Sequence, residues 1–270
     1  MIRKCFTINP HRTLDEILSY EEHLVKTNIY QACEIFYPYN TTLEQFENYK
    51  KGINNFLKYD NFEIVCHLPY GAQNNVATYV NLDETMKRLL AGIDFASLFN
   101  VTRVTYHPGN LDGTMSRDDA IKLAIKNISI LAKHAKKYNI IFMIENLIGE
   151  QELCAKIEEI RYFLDELKDD NVKLIFDCAH AHCAYKGEKE AVFNFLEEFK
   201  NQIYHLHVSD NHGLRDEHAP LLSGTIDYVR YFRRLKELNY NGLYSSEVLF
   251  KDYNDLIKTS NTIDSIEKEL

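Results

Sequence analysis

The amino-acid sequence predicts a closed (β/α)8 barrel that forms one domain over residues 1–270. Short segments rich in Ile, Val, Phe and Tyr alternate eight times with longer segments of helical period, and this alternation is typical of βα units and a parallel sheet. The length of 270 residues suits one such barrel, which usually occupies about 250 residues. No linker or low-complexity tract interrupts the chain. A doubly wound open sheet is the alternative architecture, but it would gather fewer strand ends at one place.

The strands are predicted from the short apolar segments, and the helices from the apolar period between them. The predicted strands are Lys4–Asn9, Tyr30–Phe36, Phe62–His67, Arg103–His107, Ile140–Glu145, Val172–Asp177, Ile203–Val208 and Leu243–Glu247. The clearest predicted helices are Leu82–Phe99, Arg117–Tyr138, Ile157–Leu167 and Tyr228–Leu238. Start signals support two further assignments, because Thr41–Glu44 fits a capping box and Ser116 is a suitable N-cap residue.

The composition is that of a globular protein without a membrane span. Hydrophobic residues make up 45% and charged residues 26% of the chain, which is ordinary, and no run approaches the roughly 18 apolar residues of a membrane helix. The first residues also lack the apolar stretch of a signal peptide. We therefore expect a cytoplasmic protein with no membrane partner and no obligate protein partner. The six cysteines are scattered without a CxxC pair and are predicted to be reduced packing residues.

The net charge of -9 is only a weak argument against a nucleic-acid partner. Lysines alternate with acidic residues on the predicted helices, so the sequence predicts no large basic face. Divalent cations bound to clustered carboxylates would, however, make a pocket locally positive. The net charge alone therefore does not exclude phosphate-bearing substrates.

Nine residues of metal-binding types lie at or just after the ends of predicted strands 3 to 8. Buried Asp, Glu and His side chains are costly to desolvate unless they are paired or bind a metal. The carboxyl ends of all strands in a parallel barrel meet at one mouth, where imidazole and carboxylate ligands together suit zinc or manganese. The sequence therefore predicts a shared metal cluster with the ligands His67, His107, Glu145, Asp177, His180, His207, Asp216, His218 and Glu247.

Each of these residues also has a structural interpretation when it is considered alone. A single histidine is more often a hydrogen-bonded rim residue than a metal ligand, and Glu145 or Glu247 alone could cap a helix N-terminus. One shared metal cluster explains all nine positions together, whereas the structural interpretation needs a separate explanation for each. His205 lies on the same strand face as His207 and is predicted to occupy a lower layer of the barrel.

Seven short motifs surround the predicted strand ends: Cys66-His67-Leu68-Pro69-Tyr70, Tyr106-His107-Pro108-Gly109, Ile144-Glu145-Asn146, Asp177-Cys178-Ala179-His180, Leu206-His207-Val208-Ser209-Asp210, Asp216-Glu217-His218 and Ser246-Glu247. Together they resemble the xylose isomerase-like TIM-barrel superfamily. This superfamily includes endonuclease IV, an apurinic/apyrimidinic endonuclease, and many sugar and sugar-phosphate isomerases and epimerases. The resemblance covers predicted strands 3 to 8, roughly Phe62 to Phe250.

The resemblance to endonuclease IV implies a trinuclear zinc site and the hydrolysis of phosphodiester bonds, with damaged DNA as one possible substrate. In that arrangement Glu145 bridges two ions, which suits activation of water beside a phosphate oxygen. Tyr70 falls where that family has a DNA-contacting tyrosine. The implied ligands are His67, His107 and Glu145 for the first ion, Glu145, Asp177, His207 and Glu247 for the second, and His180, Asp216 and His218 for the third.

The N-terminal third departs from endonuclease IV. The segment Phe6–Pro10 lacks that family's His-Val-Ser start with paired glycines, and the loop Tyr37–Asn40 lacks its basic and aromatic DNA-penetrating residues. Phosphate contacts on DNA normally require several Lys or Arg side chains. Near the predicted mouth these include Arg215, Lys186 and Lys251, so the sequence leaves DNA undecided as a substrate.

The same motifs also resemble the isomerase and epimerase branch, which implies a different reaction. Glu145 and Glu247 would exchange protons beside the carbonyl of a small sugar or sugar phosphate, while His180 and Arg215 would contact substrate hydroxyls or phosphate. One divalent ion, Mn²⁺ or Mg²⁺, would be held by Glu145, Asp177, His207 and Glu247. A metal-stabilised protein without catalytic activity is a third alternative.

The sequence favours the hydrolase over the isomerase. A single ion in the four-residue group would leave five ligand-type residues without a necessary role. Those five residues distinguish one metal from three, and they are His67, His107, His180, Asp216 and His218.

Overall fold

The computed structural model describes residues 2–270 and contains a closed barrel of eight strands. The strands are β1 Arg3–Ile8, β2 Ala32–Phe36, β3 Glu63–His67, β4 Arg103–Tyr106, β5 Ile141–Glu145, β6 Val172–Asp177, β7 Ile203–Val208 and β8 Leu243–Ser246. Each strand pairs in parallel with the next along the chain, and β8 closes the barrel by pairing with β1. This architecture confirms the predicted fold class.

The predicted strand bounds agree with the structure to within two residues. Asn9, His107 and Glu247 lie just beyond the strands rather than inside them. All three follow the carboxyl end of a strand, so they stand at the mouth of the barrel, where the chain turns toward the next helix.

Nine α-helices surround the barrel within residues 2–270, and none of them has both the length and the apolar character needed to cross a membrane. They are α1 Leu14–Tyr20, α2 Leu43–Asn54, α3 Leu82–Ser97, α4 Arg117–Lys136, α5 Ile157–Leu167, α6 Cys178–Ala184, α7 Ala191–Phe199, α8 Tyr228–Glu237 and α9 Tyr253–Lys268. A π-helical turn at Glu21–Val25 and 3-10 turns at Asn55–Lys58 and Ala72–Asn74 supplement them.

Helix starts follow local hydrogen bonding at α2 and α4. Ser116 caps α4 as predicted, because its Oγ accepts a hydrogen bond from the backbone N–H of Asp119 at 3.2 Å. The predicted capping box at Thr41–Glu44 is wrong by one residue. Because α2 begins one residue later, the box is formed by the side chains of Thr42 and Gln45, each bonded to the other's backbone N–H.

Apolar side chains at alternate strand positions pack against the helices and form one continuous core, with Phe6 and Phe176 among its fully buried members. A separate, much smaller apolar cluster lies on the other face of its strands, inside the barrel, and consists of Cys5, Ala32, Val65 and Leu243. All six cysteines are buried free thiols, which confirms their predicted packing role.

The barrel interior above this small cluster is polar. Buried ionisable side chains are costly unless hydrogen bonds or cations compensate them. The interior of this barrel must therefore be stabilised by contacts among its own polar groups or by bound ions. Its fully buried polar residues include Glu34, Thr105, Glu145, Asp177, His205, His207 and Ser245.

Candidate metal centre

The mouth of the barrel gathers all nine predicted metal ligands. Strand ends supply His67, Glu145, Asp177 and His207, whereas the loops and α6 supply the remaining residues. Each of the nine side chains has a nitrogen or oxygen atom within 4.0 Å of an oppositely charged or ionisable atom of another. The nine residues therefore form one contiguous network.

The first group consists of His67, His107 and Glu145, whose ligand atoms lie within 4.8 Å of one another. Glu145 Oε2 lies 3.5 Å from His67 Nε2 and 3.2 Å from His107 Nε2. This oxygen is buried and has no hydrogen-bond partner among the described residues. Burial lowers the pKa of His107 to about 4, so a neutral imidazole faces the Glu145 carboxylate.

The second group consists of Glu145, Asp177, His207 and Glu247, whose ligand atoms also lie within 4.8 Å of one another. His207 Nδ1 lies 3.0 Å from Glu145 Oε1, 3.4 Å from Glu247 Oε2 and 3.9 Å from Asp177 Oδ2. Glu145 thus presents one oxygen to each group. This placement allows Glu145 to connect two metal positions.

The third group consists of His180, Asp216 and His218, and two of its ligand atoms lie closer together than those of the first two groups. His180 Nε2 lies 3.5 Å from Asp216 Oδ2, but His218 Nε2 is only 2.7 Å from the same oxygen. The second distance is that of a direct hydrogen bond. Asp216 Oδ1 remains buried without a hydrogen-bond partner among the described residues.

Backbone carbonyl groups orient three of the histidines. The Nδ1–H group of His67 donates to Leu68 O at 2.7 Å, and those of His180 and His218 donate to Asn146 O at 2.8 Å and Glu247 O at 2.7 Å. In each ring this leaves Nε2 toward the carboxylates. Metal-binding histidines commonly use one nitrogen in this way while the other binds the metal.

The spacing of the ligand atoms fits metal coordination. Two ligands at about 2.0–2.2 Å from a tetrahedral zinc ion lie about 3.3–3.6 Å apart. The contacts of His67 with Glu145, of His207 with Glu247 and of His180 with Asp216 are 3.5, 3.4 and 3.5 Å. These three spacings suit zinc or a similar divalent ion, whereas His207 Nδ1 and Glu145 Oε1 at 3.0 Å and His218 Nε2 and Asp216 Oδ2 at 2.7 Å lie closer together.

A buried carboxylate holds the loop that carries Asp216 and His218. Asp210 accepts hydrogen bonds from the backbone N–H groups of Asn211, Gly224 and Ile226 at 2.9, 2.9 and 3.3 Å. A Cβ atom at residue 224 would lie 2.3 Å from Asp210 Oδ1, so this close approach requires glycine. The hydrogen bonds to Asp210 hold the two ends of the loop together and so keep the third ligand group at the mouth.

Residues 24–266 match the family model described as the xylose isomerase-like TIM barrel. The chain belongs to the xylose isomerase-like TIM-barrel family. This membership confirms the resemblance of the strand-end motifs.

The chain is similar to proteins whose names indicate different functions or none. An uncharacterized protein of Methanocaldococcus jannaschii is 25% identical over 201 residues, which are 73% of this chain and 67% of that protein. A protein named probable endonuclease 4 from Mycoplasma capricolum subsp. capricolum is 25% identical over 189 residues, or 64% of this chain and 63% of that protein. A solved D-tagatose 3-epimerase-like protein has a TM-score of 0.77 over 97% of both chains at 23% identity. The structural likeness shows a shared fold.

The three predicted substrate-binding residues differ in how closely they approach the ligand groups. The Tyr70 ring stacks on His107, with ring centroids 4.3 Å apart, and is half exposed beside the first group. His180 lies inside the ligand network. The Arg215 side chain is 82% exposed and lies 3.8 Å from Glu217, so the structure does not bring it to the ligand groups.

Sequence reasoning missed Glu34. This residue is fully buried in β2, and its Oε2 accepts a hydrogen bond from His207 Nε2 at 2.9 Å. The available signal was a single acidic residue in the middle of an otherwise apolar predicted strand. Because only strand ends were considered as site positions, a residue one layer below the mouth was overlooked.

The pKa values of Glu247 and His218 are both raised within the network. Burial raises the pKa of Glu247 to about 7, with the charge of Glu145 adding to the effect against that of His207. Burial lowers the pKa of His218, but the hydrogen bond that His218 donates to Asp216 and the charge of Glu247 outweigh burial and raise this pKa to about 9. Metal binding must therefore displace protons at neutral pH.

We expect zinc to stabilise the protein more strongly as the pH rises from 6.5 to 9. In the metal-free protein, protonated His218 contributes stability that is complete below pH 6.5 and lost as the pH rises through about 9. The raised pKa of Glu247 acts in the same direction, since its contribution is lost as the pH rises from 4.5 through about 7. Zinc binding instead gains strength as its ligands lose protons.

Melting temperatures of chelated and zinc-loaded protein across this pH range measure the effect. The difference between the two forms should widen as the pH rises. A constant or narrowing difference would show that zinc does not compete with these protons.

Proposed function

We propose that this protein is a metallohydrolase that binds three zinc ions and cleaves a phosphodiester. The supporting observation is a set of three carboxylate oxygens that are buried without hydrogen-bond partners among the described residues: Glu145 Oε2, Asp177 Oδ2 and Asp216 Oδ1. An unsatisfied buried acceptor costs about 1–3 kcal/mol, and more when it is charged. Each oxygen belongs to the carboxylate of a different predicted ligand group, so one cation in each group would compensate the three buried carboxylates.

The side chains of the mouth have distinct roles in this proposal. When bound, the ions would supply Lewis-acid stabilisation of negative charge on the phosphate group. Glu145 sets the separation of the first two groups, because its two oxygens face different histidines. Glu247 Oε2 lies 3.4 Å from His207 Nδ1, so the Glu247 carboxylate completes the second ligand group beside Glu145.

The rim favours a compact phosphodiester over a long DNA strand. DNA-binding proteins usually neutralise several phosphates with Lys and Arg side chains. Here Lys186, Arg215 and Lys251 are exposed on three separate loops. The rim also presents apolar side chains that are each more than 70% exposed, namely Tyr79, Leu214 and Leu249. We therefore propose a small phosphate diester as the substrate, with abasic DNA as the alternative to be assayed beside it.

The metal content of purified protein tests the number of ions. We expect three zinc ions per chain in the unaltered protein and two in His218→Ala, because that substitution removes one ligand of the third group only. His212→Ala is the matched control, since His212 lies on the same loop, is exposed and bonds to Glu217. The control should retain three ions when metal is measured by plasma mass spectrometry.

Hydrolysis assays on the same preparations test the reaction. The three-ion protein should hydrolyse bis(p-nitrophenyl) phosphate, and His218→Ala should lose at least about tenfold in kcat, since electrostatic groups in active sites are commonly worth that much or more. A protein that binds a single ion in the four-residue group, or a three-ion protein that hydrolyses no phosphodiester, would refute the hydrolase.

Sugar epimerisation is the second candidate, and one observation favours it. The second ligand group has all four ligand atoms assembled, whereas Asp216 and His218 are joined directly at 2.7 Å. The four-residue group alone could hold one Mn²⁺ or Mg²⁺ ion. Glu145 and Glu247 both belong to this four-residue group, and they would then face the same carbon atom of the substrate.

Deuterium exchange distinguishes epimerisation from hydrolysis. An epimerase incubated with ketopentoses and ketohexoses in D2O should incorporate solvent deuterium beside the carbonyl, and Glu247→Gln should abolish that incorporation because it removes one proton-exchanging carboxylate. The hydrolase predicts no incorporation with Mn²⁺, Mg²⁺ or Zn²⁺. Incorporation that survives in Glu247→Gln would contradict the epimerase role of this residue.

A further inference from the structure

Glu34 contacts His207 from below the ligand groups and is itself held from several strands. Its Oε2 accepts hydrogen bonds from His207 Nε2 at 2.9 Å and from Ser245 Oγ at 2.8 Å. Its Oε1 accepts a hydrogen bond from Thr105 Oγ1 at 3.2 Å. Four strands, β2, β4, β7 and β8, thus contribute to one buried hydrogen-bonded cluster, which fixes the position of the Glu34 carboxylate.

The two nitrogens of His207 face different partners. Nε2 bonds to Glu34, whereas Nδ1 faces the oxygens of Glu145, Glu247 and Asp177 at 3.0, 3.4 and 3.9 Å. A half-turn of the ring would exchange each nitrogen with a carbon atom. It would therefore break the Glu34 bond and present a carbon to the second ligand group.

We propose that Glu34 is a positioning residue for metal binding by His207. By accepting the Nε2–H bond, Glu34 fixes the ring orientation and keeps a proton on Nε2. The proton on Nδ1, which bonds to Glu145 Oε1 at 3.0 Å, is then the one displaced when an ion binds. Carboxylate partners act in this way on metal-binding histidines in other proteins. The inference rests on the proposed metal centre but not on the reaction, because it holds for one ion or three.

The alternative use of Glu34 as a metal ligand fits the geometry less well. Glu34, His205 and His207 do place possible ligand atoms within 4.8 Å of one another. However, both oxygens of Glu34 already accept hydrogen bonds, from Thr105, His207 and Ser245, so this carboxylate is satisfied without an ion. A fourth ion would also require His207 to bind metal through both nitrogens.

Metal titration of full-length variants tests the positioning role without measuring catalysis. Glu34→Leu removes the acceptor, and Glu34→Gln keeps an acceptor but removes its charge. Cys33→Ala is the matched control, because Cys33 is the buried neighbour of Glu34 on β2 but packs in the core on the opposite face of the strand. We expect Glu34→Leu to weaken the zinc ion bound by His207 about 10–100-fold in a chelator competition. Glu34→Gln should weaken it less, and the control should change it less than about threefold on the same scale.

Nitrogen-15 NMR of histidine-labelled, zinc-loaded protein reports on the ring itself. In the unaltered protein, His207 should show a protonated Nε2 and a metal-bound Nδ1. In Glu34→Gln, which keeps the site polar and serves if Glu34→Leu does not fold, the Nε2–H resonance of His207 should shift upfield because the acceptor loses its charge. The other ligand histidines should be unaffected.

Two results would overturn the inference. One is an equal loss of affinity for every bound ion in Glu34→Leu, which would indicate general destabilisation. The other is an unshifted His207 Nε2–H resonance in Glu34→Gln. If the protein hydrolyses no phosphodiester but these metal and NMR effects occur, the proposed reaction fails while the role of Glu34 stands.

Discussion

Glu145 lies at the end of β5 with its side chain fully buried, and its two oxygens face opposite sides of the barrel mouth. One oxygen faces His67 and His107, and the other faces His207. A buried carboxylate is tolerated only where positive charge or hydrogen bonds compensate it. The requirement to compensate Glu145 links the first two ligand groups, and the other buried polar residues of the mouth are arranged around it.

Hydrogen bonds support the mouth both below and above the Glu145 carboxylate. Below it, Glu34 joins His207 to the hydroxyl groups of Thr105 and Ser245, so the His207 ring is anchored in the barrel interior. Above it, Asp210 closes the loop that carries the third group. His218 on that loop has φ of 44°, a left-handed conformation that costs about 1–3 kcal/mol in a non-glycine residue and is concentrated at functional sites.

Much of this arrangement could be predicted because the barrel imposes it. Eight repeated strand segments fixed the topology, and strand-end positions such as His67 and Asp177 then had to meet at one mouth. The sequence could not show that Arg215 extends into solvent, since loop conformation depends on tertiary contacts rather than local pattern. It also could not show that Asp216 and His218 are bonded directly, because a spacing of two residues is compatible with several loop geometries.

Glu34 illustrates a different limit. A lone glutamate within an apolar strand indicates a buried charge, but its partner on β7 is 173 residues away in the chain and becomes adjacent only when the barrel closes. The polar residues at strand ends thus indicate the candidate site, whereas the residues that contact them from below are found only in the folded structure.

Anomalous X-ray diffraction from crystals of the zinc-loaded protein tests the central claim most directly, because it locates each ion against individual oxygen atoms. The account predicts three zinc peaks, one bonded to each of the carboxylates of Glu145, Asp177 and Asp216, all of which have a buried oxygen without a hydrogen-bond partner among residues 2–270. Fully loaded crystals with no peak bonded to Glu145 would contradict it, since the compensation of that buried carboxylate is the basis of the proposed centre.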